Sequence, residues 1–244
     1  MVECEKVLDA VRSALRSESR IGTNTAVIRM DFADGVLTLE GEVETVVAKK
    51  LALERSAKLP PVRGIVDRLH VRPAVPMGDR EIAVHVRDAL LQEPALADCA
   101  IAVIRGADRE VIRNPDQRAG SIEVAVADGV VNLNGEVNGL GRKRLASVLA
   151  WWVPGSRDVV NGIAVVPDEE DSPDAIEEAV RLVLEKDPFV DAIQIRVGVR
   201  HAVVRLTGTV PTVSEREMAE NDVWYVFGVD DVLNEIAVRA ALSR

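Results

Sequence analysis

Apolar residues near the start of the chain recur every three to four positions. Val7, Val11 and Leu15 share one face, the spacing of a helix buried along one stripe. The period then drops to two: Ile28, Met30 and Phe32 point the same way, as in a half-buried strand. Asp34-Gly35 follows between two alternating runs and predicts a two-residue hairpin, because both central residues of such a turn need positive φ. A second strand over 36–41, a helix with Val46 and Leu51 on its inner face, and a third strand over 66–71 complete the set. A three-stranded sheet with both helices on one face would bury all these stripes at once.

The same pattern returns twice, 94 and 167 positions later. Ala33-Asp34-Gly35-Val36-Leu37-Thr38-Leu39-Glu40-Gly41 matches Ala127-Asp128-Gly129-Val130-Val131-Asn132-Leu133-Asn134-Gly135, and Ala202-Val203-Val204-Arg205-Leu206-Thr207-Gly208 is a third version. The register holds without gaps through Leu51, Leu145 and Met218 to the closing strands Val66-x-x-Leu69-x-Val71, Val160-x-x-Ile163-x-Val165 and Leu233-x-x-Ile236-x-Val238. Upstream, Ile82, Val86 and Leu90, and then Ile176, Val180 and Leu184, repeat the first helical stripe. Pro94 and Pro188 each mark its end. Val46, Leu140 and Val213 are expected on the inner face of the second helix. The glycine at 41, 135 and 208 is expected where the second strand closes and the backbone turns or passes close to another segment. The third copy has Arg200-His201-Ala202 in place of Ala-Asp-Gly, so a different or longer turn is expected there.

The predicted fold class is therefore α+β, built as three tandem αββαβ modules over 1–73, 78–167 and 173–240. Unequal spacing argues against a solenoid, and units this small should pack together. A proline-rich segment over 72–79 and an acidic one over 167–173 read as linkers. Pro173 opens a helix, with Ser172 as its N-cap. The middle module carries an insertion over about 105–120, a basic loop with Arg105, Arg109, Arg113 and Arg118.

Composition narrows the function classes. Hydrophobic residues make up 48% of the chain, enough for folded cores. The net charge of −10 is the opposite of a nucleic-acid footprint, so no nucleic-acid partner is expected. No apolar run is long enough for a transmembrane segment and the N-terminus lacks the features of a secretory signal, so a cytoplasmic location is expected. Cys4 and Cys99 follow no disulfide or metal spacing.

The helix–strand–strand–helix–strand order, the D-G-V-x-x-L-x-G hairpin and the V-x-x-[IL]-x-V strand together resemble the BON domain, the family named for bacterial osmotic-stress and nodulation proteins. The resemblance covers nearly the whole chain, three times over. It implies a non-enzymatic module associated with phospholipid or membrane-surface binding, with envelope stability under osmotic stress and, in some members, with chaperone-like or small-ligand binding. It supplies no catalytic residues.

The residues themselves offer two candidate binding patches. Trp151 and Trp152 fall on Trp224 and Tyr225 at the end of the second helix, with Phe227 just beyond. They can serve a lipid headgroup or a partner, or packing between modules, which is the commoner role of large aromatics. The four arginines of the insertion can hold an anionic headgroup or acidic partner, or pair with nearby acids in solvent. The acidic stretch 168–171 can bind a cation or, the commoner role, serve as a solvated linker. His70, His85 and His201 are isolated, and no metal or cofactor is expected. The expectation is a non-enzymatic, stress-related binding or scaffold protein engaging a lipid or membrane surface, or a partner protein. Avidity from its three modules would support that role. The alternative is a small-ligand or ion sensor.

Overall fold

A computed structural model of the chain describes residues 2–21 and 28–239. The chain divides into two compact units, Met1–Arg72 and Pro73–Arg244. The first unit holds α1 (Val2–Ser17), a 3-10 turn (Ser19–Ile21), β1 (Arg29–Ala33), β2 (Val36–Val43), α2 (Val46–Ala57) and β3 (Gly64–Val71). Its sheet runs β1-β2-β3, with β1 antiparallel to β2 and β3 parallel to it. The helix α2 is the crossover that a parallel pair requires. Val7, Val11 and Leu15 from α1 meet Leu37, Leu39, Leu51 and Leu69 in the core, all buried; burying each such side chain is worth about 1.5–3 kcal/mol. Ile28, expected to lead the first strand, is buried just before β1.

The second unit contains the other two copies. The middle one holds α3 (Asp79–Gln92), β4 (Cys99–Arg105), β5 (Asp108–Arg113), β6 (Gly120–Ala127), β7 (Val130–Val137), α4 (Leu140–Trp151), β8 (Asp158–Asn161) and β9 (Ala164–Val165). The last holds α5 (Pro173–Lys186), a 3-10 turn (Ala192–Gln194), β10 (Ile195–Arg200), β11 (Val203–Val210), α6 (Val213–Tyr225) and β12 (Asp231–Val238). Its sheet, β10-β11-β12, repeats that of the first copy. Glu93 and Asp187, each just before a proline, take extended ψ values of 115° and 114°, which ends α3 and α5 as expected.

The middle sheet departs from the expected three strands. It has six, because the inserted segment is not a loop but a hairpin: β4 pairs parallel to β6, and β5 pairs antiparallel to β4. The reason is in the sequence of β4, Cys-Ala-Ile-Ala-Val-Ile-Arg, whose first five residues are all buried. A continuous apolar run of that length suits a strand covered on both faces. The third strand of this copy is broken into β8 and β9, both paired with β7.

A polar device repeats in all three closing strands. Asp67, Asn161 and Asn234 each accept, through Oδ1, the backbone N–H two residues on, at 2.9, 3.2 and 3.2 Å. The turn carries Leu69, Ile163 and Ile236 into the core, while Val66, Val160 and Leu233 stay outside. Asn161 and Asn234 also donate Nδ2 to the carbonyls of Lys143 and Arg216 in the second helix, at 2.8 and 3.0 Å. The first copy fills the same place with a buried Lys49, whose Nζ donates to the Leu69 carbonyl at 2.6 Å and pairs with Asp67 at 2.9 Å.

Three local expectations change. The third hairpin does not lengthen: Arg200 pairs with Val203 across the same two-residue turn, with His201 and Ala202 at φ +49° and +61°. Sheet register, set along the whole β10–β11 ladder, overrides the residues' own preference. Val213 is 49% exposed instead of lying on the inner face, because the first turn of α6 points that position to solvent. The strands run two residues past Gly41, Gly135 and Gly208 instead of closing there. The expected close approach is present: a Cβ on Gly135 would sit 2.1 Å from the Ser121 carbonyl oxygen, and one on Gly208 2.0 Å from that of Gln194.

Candidate interaction surfaces

The acidic segment 168–171 is exposed, yet two of its carboxylates are engaged. Thr45 and Thr212 cap α2 and α6 with their own hydroxyls, but the corresponding Gly139 has no side chain to cap α4. Glu169 takes its place, accepting the Leu140 N–H at 2.6 Å; an anion there also complements the helix dipole. Asp171 receives the NH2 group of Arg144 at 2.6 Å, while Arg144 Nε donates to the Phe227 carbonyl at 2.8 Å. The Arg144 side chain is 1% exposed. It rises from α4 of the middle copy, and its partners lie in the connecting segment and in the last copy. The linker stays exposed, but it also supplies both a helix cap and the counterion of a buried guanidinium.

The aromatics gather around this junction, where α4, α5 and α6 pack together. Trp151 stacks on Tyr225 with ring centroids 5.7 Å apart and planes 21° from parallel. Trp152 Nε1 donates to Asp222 Oδ1 at 2.9 Å. Trp224 is fully buried. Lys143 Nζ lies 5.4 Å from the centre of the Phe227 ring. Leu182 of α5 packs against the middle core, and Lys186 pairs with Glu93 at 2.9 Å. Trp151, Trp152 and Tyr225 are thus brought together between two modules, while Trp224 is a buried side chain of α6. Burial drives the Asp222 carboxyl up to about 8; the Trp152 N–H opposes that shift and the neighbouring Asp187 adds to it. Burial, with Asp222 and Asp187 nearby, pushes Tyr225 up to about 12.

The arginines of the insertion are not brought together. Arg105 pairs with Glu110 at 2.9 Å and Arg109 with Glu123 at 2.7 Å, both at the surface. Such exposed pairs contribute little. Arg113 turns inward and donates to three carbonyls, those of Cys99 (3.0 Å), Leu91 (3.1 Å) and Leu96 (2.5 Å), closing the end of α3. Arg118 is exposed. It lines a cleft of about 400 Å³ with Ser121, Glu136 and Val166.

Elsewhere, Cys99 is buried, and burial raises its thiol pKa although Arg142 lies 3.4 Å from Sγ. Among the described residues no group of His, Cys, Asp or Glu is arranged to hold a metal ion, and no helix is long and apolar enough to cross a membrane. Sequence reasoning missed Arg144, Asp171 and Asp222. Arg144 sits in a helix whose copies place Lys50 and Glu217 at the same position, so repetition gave no signal.

A search of curated proteins finds no match. Among solved structures the chain is similar to CdsD, a structural protein of the type III secretion system of Chlamydia trachomatis, at 14% identity over 97% of this chain and 94% of that one, with a TM-score of 0.26. The C-terminal domain of the same protein gives 14% identity over 93% and 96%, with a TM-score of 0.25. Scores this low carry no functional weight. The family model for the BON domain matches residues 5–73, 107–167 and 172–240. The middle match begins past α3 and β4, where the inserted hairpin separates the first helix from the repeated framework. On these three matches, covering most of its length, the chain belongs to the BON domain family.

Proposed function

We propose that the chain is a non-catalytic, stress-related scaffold that engages a partner protein through its BON modules. The observation that supports this reading is the junction of the second and third modules. Trp151, Tyr225, Arg144 and Asp171 fix one module against the next, which serves a binding platform of defined geometry. The aromatics that would otherwise dip into a lipid headgroup layer are held in that junction. A charge of −10 also opposes approach to an anionic bilayer. The membrane surface is therefore the second form of the proposal.

The test runs both forms side by side. The full chain is mixed with vesicles of phosphatidylcholine and phosphatidylglycerol at physiological salt, and separately used as bait in extract of its native cell. The expected result is no flotation with the vesicles and a stoichiometric protein partner. Flotation that Trp151→Ala abolishes, without such a partner, would replace this reading with the membrane one. The Arg118–Ser121 cleft favours the small-ligand alternative. A melting temperature raised by one anion or metabolite, and by that compound alone, would support it.

A further inference from the structure

The second and third modules differ at one sheet edge. In the middle module the outer edge of β6 is occupied by β4, parallel and in the register Cys99–Gly120, Ile101–Ile122, Val103–Val124. In the third module the corresponding strand, β10, pairs with β11 alone among the described strands. An unpaired edge is a row of free N–H and C=O groups able to template another strand. Natural edges are usually blunted by charge, and this one carries Arg196 and Arg200, yet it is also flanked by apolar side chains. Ile193, in the turn leading into β10, is 93% exposed, and Phe189 is 71% exposed. Residues 22–27 of the first module, ahead of Ile28 and β1, lie outside the described ones, so the comparison rests on the second and third.

The chemistry of the missing strand can be read from the one present. In the middle module, Ile101 and Val103 of β4 lie on the helix side beside Ile122 and Val124, while Ala102, also buried, lies on the opposite face beside Glu123. By the repeat register, the third module has Ile195 and Val197 on the helix side, both buried. On its open face, Arg196 replaces Glu123 and Arg200 replaces Ala127. Both arginines are exposed, and neither has an ion pair among the described residues. A second copy pairing edge to edge would set these arginines against their own duplicates, which is unfavourable. A strand with acids on the open face would not.

We propose that the free edge of β10 docks an extended segment of a partner protein, added parallel to β10, with apolar residues on the helix side and acidic residues on the open face. This rests on the partner-protein reading and names the surface it would use.

The probe is a synthetic peptide of the β4 sequence carrying Cys99→Ser and Glu at the positions of Ala100, Ala102 and Ile104. A second peptide has Lys at the same three positions. Each is added to the full chain, and affinity and backbone hydrogen exchange are measured. The acidic peptide should bind and slow exchange within residues 195–200. The lysine peptide should bind more weakly. Arg196→Glu with Arg200→Glu, both surface changes, should weaken the acidic peptide roughly fivefold, the scale of two exposed ion pairs, and reverse the order of the two peptides. Ile193→Asp should weaken both.

Protection elsewhere, equal binding of the two peptides, or self-association through this edge in the analytical ultracentrifuge would overturn the proposal. A native partner found in extract, combined with failure of the peptides at β10, sinks this surface but leaves the scaffold reading standing. Vesicle flotation without a partner sinks the scaffold reading itself.

Discussion

In the first module the buried cation of the second helix, Lys49, finds partners at home, in the Leu69 carbonyl and the Asp67 carboxylate. Glu18 behaves likewise. It is bound by Arg20 and by Arg55 of α2, each at 3.0 Å, and its carboxyl is held down at about 2 mainly by Arg20, with Arg55 helping against the cost of burial. In the second module the buried cation is Arg144, one position further along the repeat, and its partners belong to the linker and the third module. The position of Asp67 is neutral there, Asn161, which closes its hydrogen bonds without a charge. A one-residue shift in where the cation sits therefore separates a self-contained module from one that is completed only by its neighbour.

The largest expected effect tests that difference directly. Arg144→Met leaves Asp171 and the Phe227 carbonyl without their donor and should destabilise the second unit by about 3 kcal/mol, the range for breaking a buried pair. All three tryptophans, Trp151, Trp152 and Trp224, lie in this unit. Urea unfolding followed by tryptophan fluorescence should therefore shift or split. The part of the far-ultraviolet circular dichroism change due to the first unit should stay in place. An unchanged fluorescence transition would show that the junction does not depend on this guanidinium.

Next in size is a pH dependence confined to the junction. Asp222 titrates near 3.8 when exposed and near 8 when buried. Below about pH 4 both states hold the proton, and the carboxyl carries no penalty. Between about pH 4 and 8 only the unfolded chain releases it, so the stability of the second unit should fall as pH rises, and level off above. The groups facing it are the Trp152 N–H and the carboxylate of Asp187 at the end of α5. Asp222→Asn keeps the acceptor for Trp152 and removes the titration. It should add about 2–3 kcal/mol at pH 8 and flatten the profile. Parallel profiles for the two proteins would refute this account.

Within the first module, Lys49→Met should cost about 2 kcal/mol, less than the Arg144 change because the bonds lost lie within one module and no contact between modules goes with them. Adding Asp67→Asn should recover more than half of it, since that pair of residues recreates the neutral arrangement of Asn161. Circular dichroism melts of the full chain would follow both changes. A double variant no more stable than Lys49→Met would mean that the asparagine turn is not portable between modules.

These differences were unevenly legible in the sequence. Periodicity placed the helix stripes, Val213 excepted, and most strands, because burial of one face dictates spacing whatever the neighbour does. The Asp-Gly hairpins were legible for a local reason, the need for positive φ. The β4–β5 hairpin carried a signal that was passed over: the run from Cys99 to Val103 is apolar throughout, but the basic residues just after it drew the reading toward a loop. The junction was illegible. Trp151 and Trp152 have the same spacing and polarity whether they face lipid, partner or the next module. Only the three-dimensional meeting of α4, α5 and α6 decides between these. Arg144 and Asp171 are ordinary surface residues by sequence; a contact 27 residues apart buries Arg144, while Asp171 stays partly exposed.

The smallest expected effect concerns the third hairpin, where sequence and structure disagreed most sharply. The first two turns place Asp and Gly in the left-handed region, at φ +51° and +80° and at +54° and +78°. Aspartate tolerates it and glycine is at ease there. The third turn asks the same of His201 and Ala202. A side chain with a Cβ at such an angle costs about 1 kcal/mol. The ladder of β10 with β11 holds it there, from Ile195–Gly208 to Arg200–Val203. Ala202→Gly should therefore stabilise the third module by about 0.5 kcal/mol, the added freedom of the unfolded chain offsetting part of the gain. His201→Asp with Ala202→Gly, restoring the turn of the other two modules, should give slightly more. Both should appear as a higher urea midpoint in tryptophan fluorescence. If Ala202→Gly lowers that midpoint instead, the turn at 201–202 is relaxed by a different backbone path, and the third module is the one that departs from the shared hairpin.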